Sequence, residues 1–223
     1  SADPPKKVSV DADWVSIHSC LSWSPNSRRV FFISDVPNSL SQIRYVDVTE
    51  EFPQSHAYLE ELGSYWLSGI DFSRNSDHQV LYVQNGNLFS LAVDDFGDPI
   101  PCAAPRQLTG FIENQQFAWW PRWSPDGTKI ACGYALNMHS AAIWVIDVAN
   151  LPDGEKIVND GSPYVTVITE TRNFAATPFF SYDGTHLRLF VDGKSDGQAR
   201  VGTGLCRINA LPSGGGWRPA SRR

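Results

Sequence analysis

The chain has 223 residues, of which 42% are hydrophobic and 19% charged, which suits one large domain with a sizeable core and argues against wholesale disorder. Its 18 Lys and Arg against 24 Asp and Glu give a formal charge of −6, which works against attraction to phosphate backbones and anionic lipid, so no nucleic acid partner is expected. Apolar runs such as residues 30–33 and 143–146 fall far below the roughly 20 residues of a membrane helix, and no transmembrane segment is expected.

In chain order, Lys7-Val8-Ser9-Val10 is a first short strand-like stretch. Residues 21–32 follow, with a tight turn at Ser24-Pro25-Asn26-Ser27, a β-branched and aromatic strand at 30–33, another at 43–48 and a fourth at 58–62. The same order then returns. A second copy opens on Gly69-Ile70-Asp71-Phe72-Ser73, carries one extra residue in its turn and continues with strands at 80–83, 88–93 and 105–109. The third opens on Pro121-Arg122-Trp123-Ser124-Pro125-Asp126-Gly127 and continues at 130–132, 143–148 and 164–169. A fourth opens on Pro178-Phe179-Phe180-Ser181-Tyr182-Asp183-Gly184 and continues at 187–191 and 205–208, with no convincing outer strand in 213–219.

The turn has a physical reading. Proline presets φ at the second position, aspartate tolerates the third, and glycine takes the left-handed backbone that closes the reversal. The aromatic anchors Trp23, Phe72, Trp123 and Phe180 are separated by 49, 51 and 57 residues, a period in the range of propeller blades. Four strands per copy make a blade, so the predicted fold is all-β: a β-propeller of four-stranded antiparallel blades, about four of them, in one domain. The predicted blades are 15–62, 66–109, 118–169 and 176–211. Residues 7–10 can close a small ring as the missing outer strand, or belong to an absent blade of a larger propeller. A fragment of a larger propeller is favoured, from the usual blade number and the missing final outer strand.

Chemistry-bearing patterns are sparse. Gly193-Lys194-Ser195-Asp196-Gly197 matches the string of a hydrolase elbow, but a polar stretch and a strand follow it where a helix is needed, so it reads as a hairpin loop. His18, His56, His78, His139 and His186 include no pair at metal-ligand spacing. Asp94, Asp95 and Asp98 lack the spacing of a calcium loop. Cys20, Cys102, Cys132 and Cys206 are widely separated and read as free thiols, mostly buried. No catalytic residue, cofactor or metal is therefore expected. The anchors read as packing residues, whereas Trp66, Trp119 and Trp120 precede inner strands and are the candidate ligand-facing aromatics.

At Pro121 to Cys132, Ile143 to Asp147 and Ile168-Thr169 the chain resembles the TolB-like, WD-like propeller repeat, and the resemblance covers most of its length. Ser27 in place of the turn glycine, and the second copy without proline or glycine, depart from that pattern. The resemblance implies a noncatalytic interaction module, periplasmic or extracellular, that binds a protein or peptide at a loop face or in the central channel. It equally accommodates the substrate-gating propeller of a prolyl-oligopeptidase-like hydrolase whose catalytic domain lies elsewhere, or a carbohydrate-active propeller.

Overall fold

The computed structural model describes residues 21–34, 41–59, 67–113, 115–136, 140–171, 175–195 and 198–207. Among these residues there is no helix, and the strands form four antiparallel sheets. The first holds β1 (Ser22–Trp23), β2 (Arg29–Ser34), β3 (Gln42–Asp47) and β4 (Ser55–Tyr58). The second holds β5 (Leu67–Phe72), β6 (Gln79–Gln84), β7 (Asn87–Ala92) and β8 (Arg106–Gln107). The third holds β9 (Gln116–Trp123), β10 (Lys129–Leu136), β11 (Ser140–Asp147) and β12 (Val165–Thr171), and the fourth β13 (Ala175–Phe180), β14 (His186–Ser195) and β15 (Gln198–Arg207). In every sheet, strands adjacent in sequence are adjacent in space, which is the up-and-down meander of a propeller blade. The predicted strand at 7–10 lies outside the described residues.

One turn chemistry starts each blade. Ser24 Oγ donates to Asn26 Oδ1 at 2.8 Å and accepts the Arg29 N–H at 3.0 Å. Ser124 repeats this with Asp126 at 2.6 Å and Lys129 at 2.9 Å, and Ser181 with Asp183 and the His186 N–H. In the second blade the extra residue changes the partner. Ser73 Oγ donates to the Asp77 carbonyl at 3.2 Å and still accepts the Gln79 N–H at 2.8 Å. The turn therefore depends on the serine more than on the proline or glycine. Hydrogen bonds from Ser181 and Thr185 hold the exposed Asp183 carboxyl down at about 2. At Asp126 partial burial works upward, but bonds from Ser124 and Thr128 outweigh it and keep the carboxyl below its ordinary range.

The closing position is left-handed in three blades, with φ of 59° at Ser27, 72° at Gly127 and 69° at Gly184. A side chain there costs about 1–2 kcal/mol, partly offset by the extra chain entropy a glycine loses. Ser27→Gly should therefore leave stability unchanged or raise it by up to about 1 kcal/mol in urea unfolding; a clear loss would show that Ser27 does more than close a turn. Asn85 and Gly86, at φ 48° and 76° between β6 and β7, form the two-residue hairpin that Asn-Gly favours.

The first outer strand differs from its predicted place, whereas β8 and β12 fall at theirs. β4 ends where the sequence pattern has it begin: Tyr58 is buried, its hydroxyl donates to the Gly97 carbonyl at 2.6 Å, and Leu59 turns left-handed at φ 51°. That long-range bond fixes the tyrosine against the next blade. Beyond the short β8, Ile157 of the third blade donates to the Leu108 carbonyl at 2.9 Å and accepts the Gly110 N–H at 2.8 Å. This strap covers an edge that would otherwise present free backbone groups.

Apolar cores fill the spaces between successive sheets. Phe31, Ile33, Ile70, Phe72 and Tyr82 lie between the first two, with the Phe31 and Phe72 rings 4.6 Å apart. Leu81, Leu88, Trp123, Ile130 and Trp144 fill the next space, and Trp119, Ala131, Ile143 and Leu187 the one after. Because faces alternate along a strand, each anchor points back to the preceding blade and the residue before it points forward.

Inner strands share a bulge. In β5, β9 and β13 the register slips against the neighbouring strand, opposite residues 83, 132 and 190. Gly69 and Trp120 occupy equivalent bulge positions, both with positive φ (121° and 48°). A Cβ on Gly69 would lie 2.6 Å from Pro121 Cδ and 3.1 Å from Trp120 Cα. Gly69→Ala should thus cost about 3 kcal/mol, combining backbone strain with overpacking. Gly154→Ala is the control, since φ is also positive there but nothing lies within 4 Å. Equal urea midpoints for the two variants would refute a close approach at Gly69.

Candidate functional site

The C-terminal ends of the four inner strands converge on a groove of about 590 Å³, walled by Leu21, Trp23, Asp71, Arg74, Arg122 and Phe179 among others. Trp23 is 53% exposed, unlike its counterpart Trp123 at 7%. The alternation of faces explains this, because Trp23 points away from the second blade and no described residue packs there as blade two packs on Trp123.

At the floor, one repeat position carries a different chemistry in each copy. The residues just before the anchors are Ser22, Asp71, Arg122 and Phe179, and they meet in series. Ser22 Oγ donates to Asp71 Oδ1 at 3.1 Å and accepts the Phe72 N–H at 3.1 Å. The Trp123 N–H donates to Asp71 Oδ2 at 2.8 Å. Arg122 Nη1 lies 3.3 Å from Asp71 Oδ1, both side chains being largely buried at 12% and 17% exposure. The Arg122 guanidinium in turn sits 5.0 Å from the centre of the Phe179 ring. Asp71 therefore ties together the inner strands of three blades. Burial pushes its carboxyl pKa above the ordinary value, against the opposing pull of Arg122, the Trp123 N–H and Ser22.

The predicted ligand-facing aromatics lie elsewhere. Trp119 is 8% exposed and packed over Gly133, where a Cβ would overlap its indole. Trp120 sits in the bulge, its ring edge-on to Trp119 at 6.2 Å. Both are in the middle of β9 and neither lines the groove, and Trp66 lies outside the described residues. Sequence reasoning passed over Asp71, Arg122 and Trp23 as site residues. The available signal was that the position before each anchor carries a different chemistry in each of the aligned copies.

The remaining candidates serve structure. Asp94 Oδ1 accepts the Phe96 and Asp98 N–H groups, Asp98 pairs with Arg29 at 2.8 Å and Asp95 lies 2.9 Å from His78. Among the described residues no group of three or more acidic, histidine or cysteine side chains is arranged to hold a metal ion. Ser195 ends β14 and pairs with Gln198 of β15, so a strand follows it. Cys132 is buried and its thiol is pushed up to about 12 by burial, while Cys102 is exposed.

No family model matches the chain. In sequence, a stretch of 181 residues is 30% identical to part of the transcription factor E2F7 of Rattus norvegicus, covering 73% of this chain and about a fifth (19%) of that protein. In structure, the chain overlays TolB from Acinetobacter baumannii with a TM-score of 0.59 at 14% identity, over 86% of this chain and 41% of that one. The chain has a TolB-like β-propeller fold. A TolB-type protein of Agrobacterium tumefaciens overlays this propeller with a TM-score of 0.56 at 18% identity, over 90% of this chain and 65% of that one. A puromycin-hydrolysing peptidase of Mycobacterium tuberculosis does so at 0.52 and 18% identity, over 87% of this chain and 33% of that one. The TolB-like propeller thus spans less than two thirds of each of these proteins.

Proposed function

We propose that the chain is a noncatalytic propeller module that binds a protein or peptide partner in the groove at the ends of its inner strands, in a periplasmic or extracellular setting. The observation that carries the reading is the exposed Trp23 beside a largely buried Arg122 in one concave site. A large flat apolar ring next to a fixed cation is a common anchor for peptide ligands. Trp120, half-buried in the middle of β9, would meet only a ligand that extends from the groove past Arg122. Trp119, being packed, would not.

Binding of a fluorescein-labelled random decapeptide pool, followed by anisotropy, tests the reading. Trp23→Ala should weaken binding at least about tenfold, which corresponds to about 1.4 kcal/mol, with little change in folding. Unaltered binding would remove the groove as the site. The overlay on a third of a peptidase favours one second reading, a substrate-gating propeller. An adjoining strand–G-x-S-x-G–helix unit in the same open reading frame would decide for that reading.

A further inference from the structure

We infer that the groove is a carboxylate site. Arg122 takes a peptide carboxylate on the edge of its guanidinium that Asp71 leaves open, with the peptide's neighbouring apolar side chain against Trp23. This rests on the peptide-binding reading and names the group that such a peptide presents.

Three contacts fix the arginine without using all of it. Nη1 lies 3.3 Å from Asp71 Oδ1 and 3.4 Å from the Ile70 carbonyl, and the Phe179 ring lies 5.0 Å from the guanidinium carbon. Nε is buried and has no hydrogen-bond partner. With Nη2 it makes the side of the fork that matches the two oxygens of a carboxylate. Buried donors are rarely left without acceptors, so the Arg122 Nε indicates an acceptor that the ligand supplies.

Charge agrees with this. Among the described residues lining the groove, Asp71 is the one acidic residue, against Arg122 and the exposed Arg74. His78, at the rim, is engaged by Asp95. A chain of net charge −6 therefore turns a locally cationic surface toward the groove, which favours an anionic group there.

The test uses the whole chain and three pools of fluorescein-labelled pentapeptides, each ending in Leu-Phe: a free acid, a C-terminal amide, and an amide with glutamate just before Leu-Phe. At least one carboxylate-bearing pool should bind at least about tenfold more tightly than the plain amide by anisotropy. Preference for the acid alone assigns a chain terminus, and preference for the glutamate pool a side chain. Arg122→Lys keeps a cation beside Asp71 but loses the fork, and should cut the preference to under about threefold while retaining a cooperative urea transition. Preference undiminished in that variant would overturn the role of Arg122. Equal binding of all pools, lost on Trp23→Ala, would overturn the carboxylate site and leave the peptide groove standing. Absence of binding by every pool would overturn both.

Discussion

Replacing Trp123 by alanine should lower the unfolding free energy by about 3–5 kcal/mol, whereas the same change at Trp23 should cost under about 1 kcal/mol. The two tryptophans occupy the same place in their repeats, so propensity and turn chemistry cancel in the comparison. What differs is the neighbour. Trp123 is 7% exposed in a core with Leu81, Leu88 and Ile130, and its loss leaves a cavity between two blades. Trp23 is 53% exposed and leaves little behind. Urea unfolding of the two variants checks the difference. Equal losses would mean that another part of the protein packs on Trp23 as firmly as the second blade packs on Trp123.

Asp71→Ala should be as damaging, at about 3–5 kcal/mol, because it leaves the Arg122 cation and the Trp123 N–H without their partner in a largely buried site. Asp71→Asn keeps an acceptor for the N–H and should cost less. The pH dependence separates the charge from the hydrogen bonds. Burial raises the Asp71 pKa above its ordinary 3.8, so the folded state binds this proton more readily than the unfolded chain does. Its contribution to stability is then greatest below 3.8 and declines as pH rises from there to the raised folded value. Asp126, Asp183 and Asp47 have lowered values and act in the opposite sense, losing their contribution as pH falls below 3.8. They are common to both proteins. The stability difference between wild type and Asp71→Asn should therefore move in favour of wild type on going from pH 7 to pH about 3.5. Movement the other way would mean that Arg122 dominates over burial at Asp71.

The repeat was legible because its information is local. A serine that binds its own turn, a left-handed closing residue and alternating strands need only a dozen consecutive residues, and the structure shows all of them from Ser24, Ser124 and Ser181. Even the irregular second copy was legible as a blade, since Ser73 retains the bond to the strand that follows. The first outer strand and the strap beyond the second were less so. Tyr58 and Ile157 are placed by bonds to Gly97 and Leu108 of another blade, and nothing in their own neighbourhoods announces those partners.

The candidate site was the least legible part. Adjacent tryptophans drew attention to Trp119 and Trp120, but a strand sends consecutive side chains to opposite faces, and the bulge at Trp120 redirects both. Conversely, Asp71 and Arg122 are 51 residues apart and each looks like an ordinary polar residue in an edge of pattern.

By itself the sequence determined the strands, the turns that join them and their grouping into blades, because these follow from side chains and backbone groups within reach of one another along the chain. Tertiary structure alone decided which tryptophan is buried and which is bare, and which four side chains share the floor of the groove. Those outcomes depend on what the next blade places opposite each face, a contact between residues some fifty positions apart that no local pattern encodes.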